Sequence, residues 1–273
     1  KAGVFRLSVL SAALVVALPS FAATIEAFNP TNYPYIIQGG TTSIDDSQIT
    51  VSGADVTLAN GAVFQKQGVV ARSNSSGRAI MNLGNAETQS VQINVDSSAS
   101  TTAYEVTSGV TANNDSASLP GGLVSITAKQ VDINVSGNGD VYAIYAQNRT
   151  TDARDPNQIA TVEINAENTV INATSTQAGK ASGIVAMSQG IVKVNGNLEV
   201  NADDAIVARG GAIVRVNEAG DKTVKLNGNI DFNFDRATSG TKVDADVVVN
   251  LNGAGSYWNG NAVTSYGTGR PGD

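Results

Sequence analysis

Val192-Lys193-Val194-Asn195-Gly196-Asn197-Leu198-Glu199-Val200-Asn201 returns 32 residues later as Val224-Lys225-Leu226-Asn227-Gly228-Asn229-Ile230-Asp231-Phe232-Asn233. Each decapeptide holds two copies of one pattern: apolar, charged, apolar, Asn. The pattern also occurs at Val91–Asn94, Val131–Asn134, Val162–Asn165, Val214–Asn217 and Val249–Asn252, with a polar or charged residue in second place. A period of two places the aliphatic residues on one face of a strand and the polar residue on the other. Asn tolerates positive φ and bonds nearby backbone, so it is expected to close each strand.

Shorter spacings define the repeat. Ile184-Val185-Ala186 and Ile191-Val192-Lys193-Val194-Asn195 match Ile206-Val207-Ala208 and Ile213-Val214-Arg215-Val216-Asn217, 22 residues on. Ala143-Ile144-Tyr145-Ala146 is a relative 40 residues before Ile184. Three short strands in about 22 residues is the size of one coil of a parallel β-helix. The expected fold is therefore all-β: a right-handed, single-stranded parallel β-helix whose three-strand rungs of about 22 residues carry loop insertions. Same-position Asn residues should stack into an amide ladder along one corner. The irregular spacings place insertions at corners, notably Asn113–Gly122 and Arg149–Gln158. A β-sandwich or jelly roll is the alternative, disfavoured by the near-identity of adjacent units.

Composition narrows the chemistry. Among 273 residues there is no Cys and no His. That removes disulfides, thiol nucleophiles, Cys-based zinc sites and the Ser-His-Asp route. With 17 basic and 24 acidic residues the net charge is −7, and no Lys/Arg cluster exists to neutralise phosphates, so nucleic acid is not an expected partner. Aromatic residues are only 5%, too few for an extended stacking platform.

Residues 1–22 read as a secretory signal peptide. Lys1 and Arg6 form a basic start, Leu7 to Leu18 an apolar run too short to span a bilayer, and Pro19 ends the helix. Ser20-Phe21-Ala22 offers small residues to a signal peptidase, so cleavage is expected after Ala22. Its removal takes away Lys1 and Arg6 and shifts the net charge from −7 to −9. Residues 23–60, with Pro30, Tyr33, Pro34 and Tyr35, read as an N-terminal cap with the first rungs, and 61–265 as the β-helix. The chain starts at Lys1 and ends at Arg270-Pro271-Gly272-Asp273, and it is expected to be part of a longer protein, with 266–273 opening a downstream region.

A signal peptide followed by a Cys-free, Gly/Asn-rich β-helix resembles the passenger domain of Gram-negative autotransporters, in the pertactin-like and AIDA-like class. Val247-Val248-Val249-Asn250-Leu251-Asn252-Gly253-Ala254-Gly255-Ser256-Tyr257-Trp258-Asn259-Gly260 resembles the aliphatic–Gly–Ser–Trp rung of such passengers. The resemblance covers roughly residues 1–265. It implies a C-terminal outer-membrane β-barrel in the full-length chain. It also implies export to the cell surface, the outer membrane or the medium of a Gram-negative bacterium. The implied function is adhesion or autoaggregation without catalysis, toward a host-cell or matrix receptor or like passengers on neighbouring cells. No catalytic residue, cofactor or metal is assigned. The other functions weighed are an inert stalk for a distal domain and a secreted carbohydrate-active β-helix enzyme, a polysaccharide lyase or hydrolase.

Several residues are candidates for chemistry. Asp203-Asp204, Asp45-Asp46, and Asp244 and Asp246 with Lys242 are acidic groups of the kind that flank a sugar substrate; solvated turns or outward strand positions are the simpler reading. Asn138-Gly139-Asp140 has oxygen ligands for calcium but lacks the repeated Gly-Gly-x-Gly-x-Asp array. Gly210-Gly211 reads as a corner. Asn74, Asn134, Asn148 and Asn172 open glycosylation sequons that arise by chance in such a composition. Tyr257 and Trp258 are a sugar-stacking pair or, more simply, a plug for the end of the core.

Overall fold

Aliphatic residues at alternate positions need a dry partner, and short strands need neighbours for their amides. A solenoid supplies both. The computed structural model describes residues 33–57, 63–75, 77–100, 106–114, 118–148, 158–236 and 242–266. The expected signal segment 1–22 and Ala22 lie outside them. The chain coils through three faces in turn, and all but two of the described strands pair in parallel with equivalents one coil away. It is a parallel β-helix.

The first described strands are β1 (Ile36–Ile37), β2 (Gly40–Ile44), β3 (Gln48–Ser52), β4 (Ala54–Thr57) and β5 (Val63–Ser73). There follow β6 (Ala79–Leu83), β7 (Ser90–Asp96), β8 (Val106–Asn114), β9 (Leu123–Gly137) and β10 (Asp140–Gln147). The middle coils are built from β11 (Thr161–Ser175), β12 (Ala181–Met187), β13 (Ile191–Arg209) and β14 (Ile213–Val216). The last are β15 (Val224–Arg236), β16 (Lys242–Val243), β17 (Asp246–Val249), β18 (Tyr257–Asn259) and β19 (Ala262–Tyr266).

Face 1 stacks β2, β6, β14, β17 and the first parts of β9, β11 and β13. Those six pairings give seven coils. Face 2 stacks β3, β7, the later parts of β9 and β11, the middle of β13, the start of β15, and β18. Face 3 stacks β1, β5, β8, β10, β12, the end of β13, the end of β15, and β19. The exception to parallel pairing at the start is β4, which lies antiparallel along β5.

The 22-residue spacing is real: Ile184 pairs with Ile206 and Ile191 with Ile213. The 40-residue relation is real too, since Ile144 pairs with Ile184. Other coils are longer; Leu83 pairs with Ile126, 43 residues on. The insertions expected at Asn113–Gly122 and Arg149–Gln158 fall between a face-3 strand and the next face-1 strand, partly outside the described residues.

The 32-residue match, however, is not the stacking register. Val224–Asn227 lies on Leu198–Asn201, and Ile230–Asn233 on Ile206–Arg209. Val192–Val194 lies instead on Val214–Val216. The two decapeptides are thus displaced by one face. What they share is a corner device. Asn195-Gly196-Asn197 turns from face 1 to face 2, and Asn227-Gly228-Asn229 turns from face 2 to face 3, each on a single Gly with φ of +109° and +134°.

Inward rows form the core. On face 2 one row runs Val51, Ile93, Ile133, Ile171, Val200 and Leu226, each fully buried. Side chains of this size contribute roughly 1.5–3 kcal/mol each when removed from water. The neighbouring row runs Ile49, Val91, Val131, Thr169, Leu198 and Val224, where Thr169 is the odd member. It is 1% exposed and its Oγ1 has no hydrogen-bond partner. Thr169→Val should raise stability by about 1 kcal/mol, since it removes an unsatisfied buried hydroxyl at equal volume. A lower midpoint in thermal or urea unfolding would contradict that.

Face 3 departs from simple alternation. β8 is buried along its whole length, and β10 and β12 are buried at all but the last residue. An outward row of Val70, Thr111, Tyr145, Val185 and Val207 is 0–4% exposed. Tyr142 and Tyr145 stack with ring centroids 5.2 Å apart and join Val106, Val185 and Val207 in a second apolar cluster. Strands buried on both sides read as continuous apolar runs, and Val141-Tyr-Ala-Ile-Tyr-Ala146 and Ala205-Ile-Val-Ala208 are such runs.

Candidate functional site

Most of the motif Asn residues lie within strands and do not end them; Asn217, directly after β14, does. Among the described ones, Asn217 is the one non-Gly motif residue with positive φ, at +53°. Asn94, Asn134, Asn172, Asn201 and Asn227 stand in register on the outward side of face 2, and their amides link. Asn134 donates to Asn94 at 3.1 Å, Asn172 to Asn134 at 2.9 Å, Asn201 to Asn172 at 2.9 Å and Asn227 to Asn201 at 2.8 Å. Shorter ladders join Asn195 to Asn165 and Asn197 to Asn168. An amide is both donor and acceptor, so identical residues at the strand spacing of about 4.8 Å can bond in series. The expected amide ladder is present: it lies within the strand face at Asn94, Asn134 and Asn172 and reaches the corner between faces 2 and 3 at Asn201 and Asn227, while the shorter pairs flank the corner between faces 1 and 2.

Beside it lies an outward row of Thr50, Gln92, Asp132, Val170, Glu199 and Lys225. Glu199 and Lys225 approach to 3.9 Å, both about two-fifths exposed, a pair of little energetic weight. The ladder occupies two sequon residues, Asn134 and Asn172. A third, Asn148, is fully buried and accepts the Ala160 N–H at 2.9 Å.

A groove of about 480 Å³ opens where face 2 turns into face 3. Ladder residues Asn201 and Asn227, with Asn259 in register beyond them, form one side and Thr174, Ser175 and Asp203 line the other end. Asp203 is exposed, and its Oδ2 accepts the Ala181 N–H at 3.1 Å, fixing the start of β12. Its neighbour Asp204 is half-buried on face 3, where it accepts from Asn229 at 3.3 Å. The paired carboxylates therefore serve different surfaces.

Burial pushes the Asp204 carboxyl above its ordinary value of 3.8, and Asp231 and Asp203 add repulsion, against the opposing Asn229 amide. A carboxyl raised in the folded state binds protons that the unfolded chain has released. Its charge thus costs stability at neutral pH, and the cost fades as pH falls toward 4. Asp204→Asn should stabilise at pH 7 and lose that advantage near pH 4; an equal gain at both pH values would remove burial as the cause. Asp96 has the opposite sign. The Ser136 and Ser98 hydroxyls and the Ser98 N–H hold it down to about 2, so its contribution is present above pH 4 and lost on descending toward 2.

The other acidic candidates are spread out. Asp45 and Asp46 lie in the exposed turn between β2 and β3. Asp246 pairs with Arg215 on face 1. Asp140 pairs with Lys180 at 3.5 Å, and Asn138 donates to the Ser100 carbonyl, so the Asn-Gly-Asp turn is held by protein partners. Among the described residues no group of three acidic side chains is placed to hold a metal. Gly210 and Gly211, with φ of +58° and +70°, turn the corner between β13 and β14. Trp258 follows Leu226 in the inward row, 36% exposed at the last coil, with Nε1 donating to the Gly228 carbonyl at 3.0 Å. It sits at the end of the core, with Tyr257 turned outward.

The groove was missed in the sequence because it depends on corner lengths in successive coils. Asn172 and Ser182 are ten residues apart where the next coil has three, Asn201 to Asp204, and the next two, Asn227 to Asn229. The chain matches no protein-family model, no curated protein and no solved structure.

Proposed function

We propose that the chain is an exported passenger of the autotransporter kind, acting at the cell surface of a Gram-negative bacterium in adhesion or autoaggregation, without catalysis. The observation that supports this most is the amide ladder from Asn94 to Asn227, a polar stripe that repeats the same groups on consecutive coils. Two such rods side by side, or one rod on a repetitive receptor, meet the same weak contact at every rung, and the contacts sum by multivalency. Export rests on the sequence of residues 1–22.

The test is to coat beads with the purified chain and follow aggregation by light scattering, and to measure bead attachment to epithelial cells and matrix proteins. Aggregation or attachment that falls when Gln92 and Asp132 are both replaced by Lys supports the proposal. Inert beads in every setting would leave the stalk. Turnover of an acidic polysaccharide, lost in Asp203→Asn or Asp204→Asn, would establish the enzyme in its place.

A further inference from the structure

The groove at the corner between faces 2 and 3 has a shape that the adhesive reading does not explain. The long connection from β11 to β12 overhangs two tight corners, and the recess beneath runs along the solenoid axis from Thr174 to Asn259. It crosses four coils, or about 14 Å at the strand spacing. Its floor is small: Ala173, Ala202 and Gly228. We propose that this groove binds a neutral, unbranched polysaccharide lying parallel to the axis. The inference rests on the adhesive reading for its biological role, and names a ligand for it.

Four groups lining the groove point to hydroxyl recognition. Asp203 spends Oδ2 on the Ala181 N–H and keeps Oδ1. Asn227 donates to Asn201 and keeps its own Oδ1. Asn259 follows Asn227 in the stack and is exposed, as is Thr174. A carboxylate accepts from two hydroxyls, while an amide and a hydroxyl each donate and accept, matching the dual character of sugar hydroxyls. The Ala and Gly floor admits the C–H face of a ring.

Charge and topology exclude the competing polymers. Asp203 and the net charge of −7 oppose an anionic chain. A peptide strand would need a free sheet edge, but the strands along the groove are paired to coils on both sides at β13 and at the start of β15.

The experiment is calorimetric titration of the purified chain with cellohexaose, laminarihexaose and chitohexaose, beside hexagalacturonate and an unstructured Gly/Ser decapeptide. A neutral hexasaccharide should bind. Ala178→Trp, which fills the groove from an exposed position on the overhang, should weaken binding by about tenfold or more with an unchanged unfolding midpoint. Asp203→Asn, which keeps an acceptor for the Ala181 N–H, should weaken it severalfold. The proposal is overturned if no neutral hexasaccharide binds, if Ala178→Trp binds as well as the parent, or if hexagalacturonate or the peptide binds more tightly. Bead aggregation without glycan binding would remove the groove and leave adhesion standing; glycan binding on beads that neither aggregate nor attach would do the reverse.

Discussion

Gly196→Ala should be the most damaging Gly→Ala change among the described residues, costing about 3 kcal/mol or more. The preceding coil turns from face 1 to face 2 with two residues, Ala166 and Glu167, between Asn165 and Asn168; the next coil has only Gly196 between Asn195 and Asn197. The shorter corner tucks under the longer one. A Cβ on Gly196 would stand 1.7 Å from the Ala166 carbonyl oxygen, which is backbone and cannot swing aside. The φ of +109° adds strain for any L side chain. Gly179 is the control, with φ of +74° and nothing within 4 Å of its added Cβ, so Gly179→Ala should cost only about 1–2 kcal/mol. Circular dichroism during urea unfolding compares the two. Equal midpoints would mean that the corner relaxes freely and that the close approach carries no weight.

Arg209→Ala ranks next. Arg209 and Asp231 lie on adjacent coils of face 3, 3.1 Å apart, with side chains 6% and 10% exposed. The other Asp231 oxygen, Oδ1, is buried without a hydrogen-bond partner. Truncating Arg209 leaves that carboxylate in a dry setting, a change that typically costs 3–5 kcal/mol. Arg209→Met with Asp231→Leu should recover most of the loss, because replacing both charges by apolar groups of similar size is close to neutral. Lys225→Ala, at the exposed pair with Glu199, should stay within about 0.5 kcal/mol. A single Arg209→Ala no worse than Lys225→Ala would show that water reaches Asp231.

What the sequence made legible was what depends on alternation and spacing. Ile144, Ile184 and Ile206 read as equivalents and do stack. The Asn ladder follows from identical residues at identical positions. Two features depended on neighbours that spacing does not reveal. Asn-Gly-Asn is a corner in both decapeptides, but the same chemistry serves two different corners, so their likeness misstates the register by a face. The middle strands of face 3, β8, β10 and β12, are buried outside as well as inside, and Tyr142 and Tyr145 carry that signal only as part of an unbroken apolar run. Asp203 and Asp204 look like a pair in the sequence, yet one binds the start of β12 and the other faces Asn229. The alternating pleat sends consecutive side chains to different surroundings.

The stacking of Leu198–Asn201 on Val224–Asn227 carries the ladder, the groove and the functional reading together. A chain without Cys allows that register to be tested by disulfide trapping. Glu199→Cys with Lys225→Cys joins outward neighbours on adjacent coils, at the separation that a disulfide bridges. Lys193→Cys with Lys225→Cys joins the positions that the decapeptide repeat equates, which lie on faces 1 and 2. Mild oxidation should close the first pair fully, seen as a mobility shift reversed by reductant, and leave the second open. Closure of the second pair with the first left open would contradict the three-face register and everything built on it.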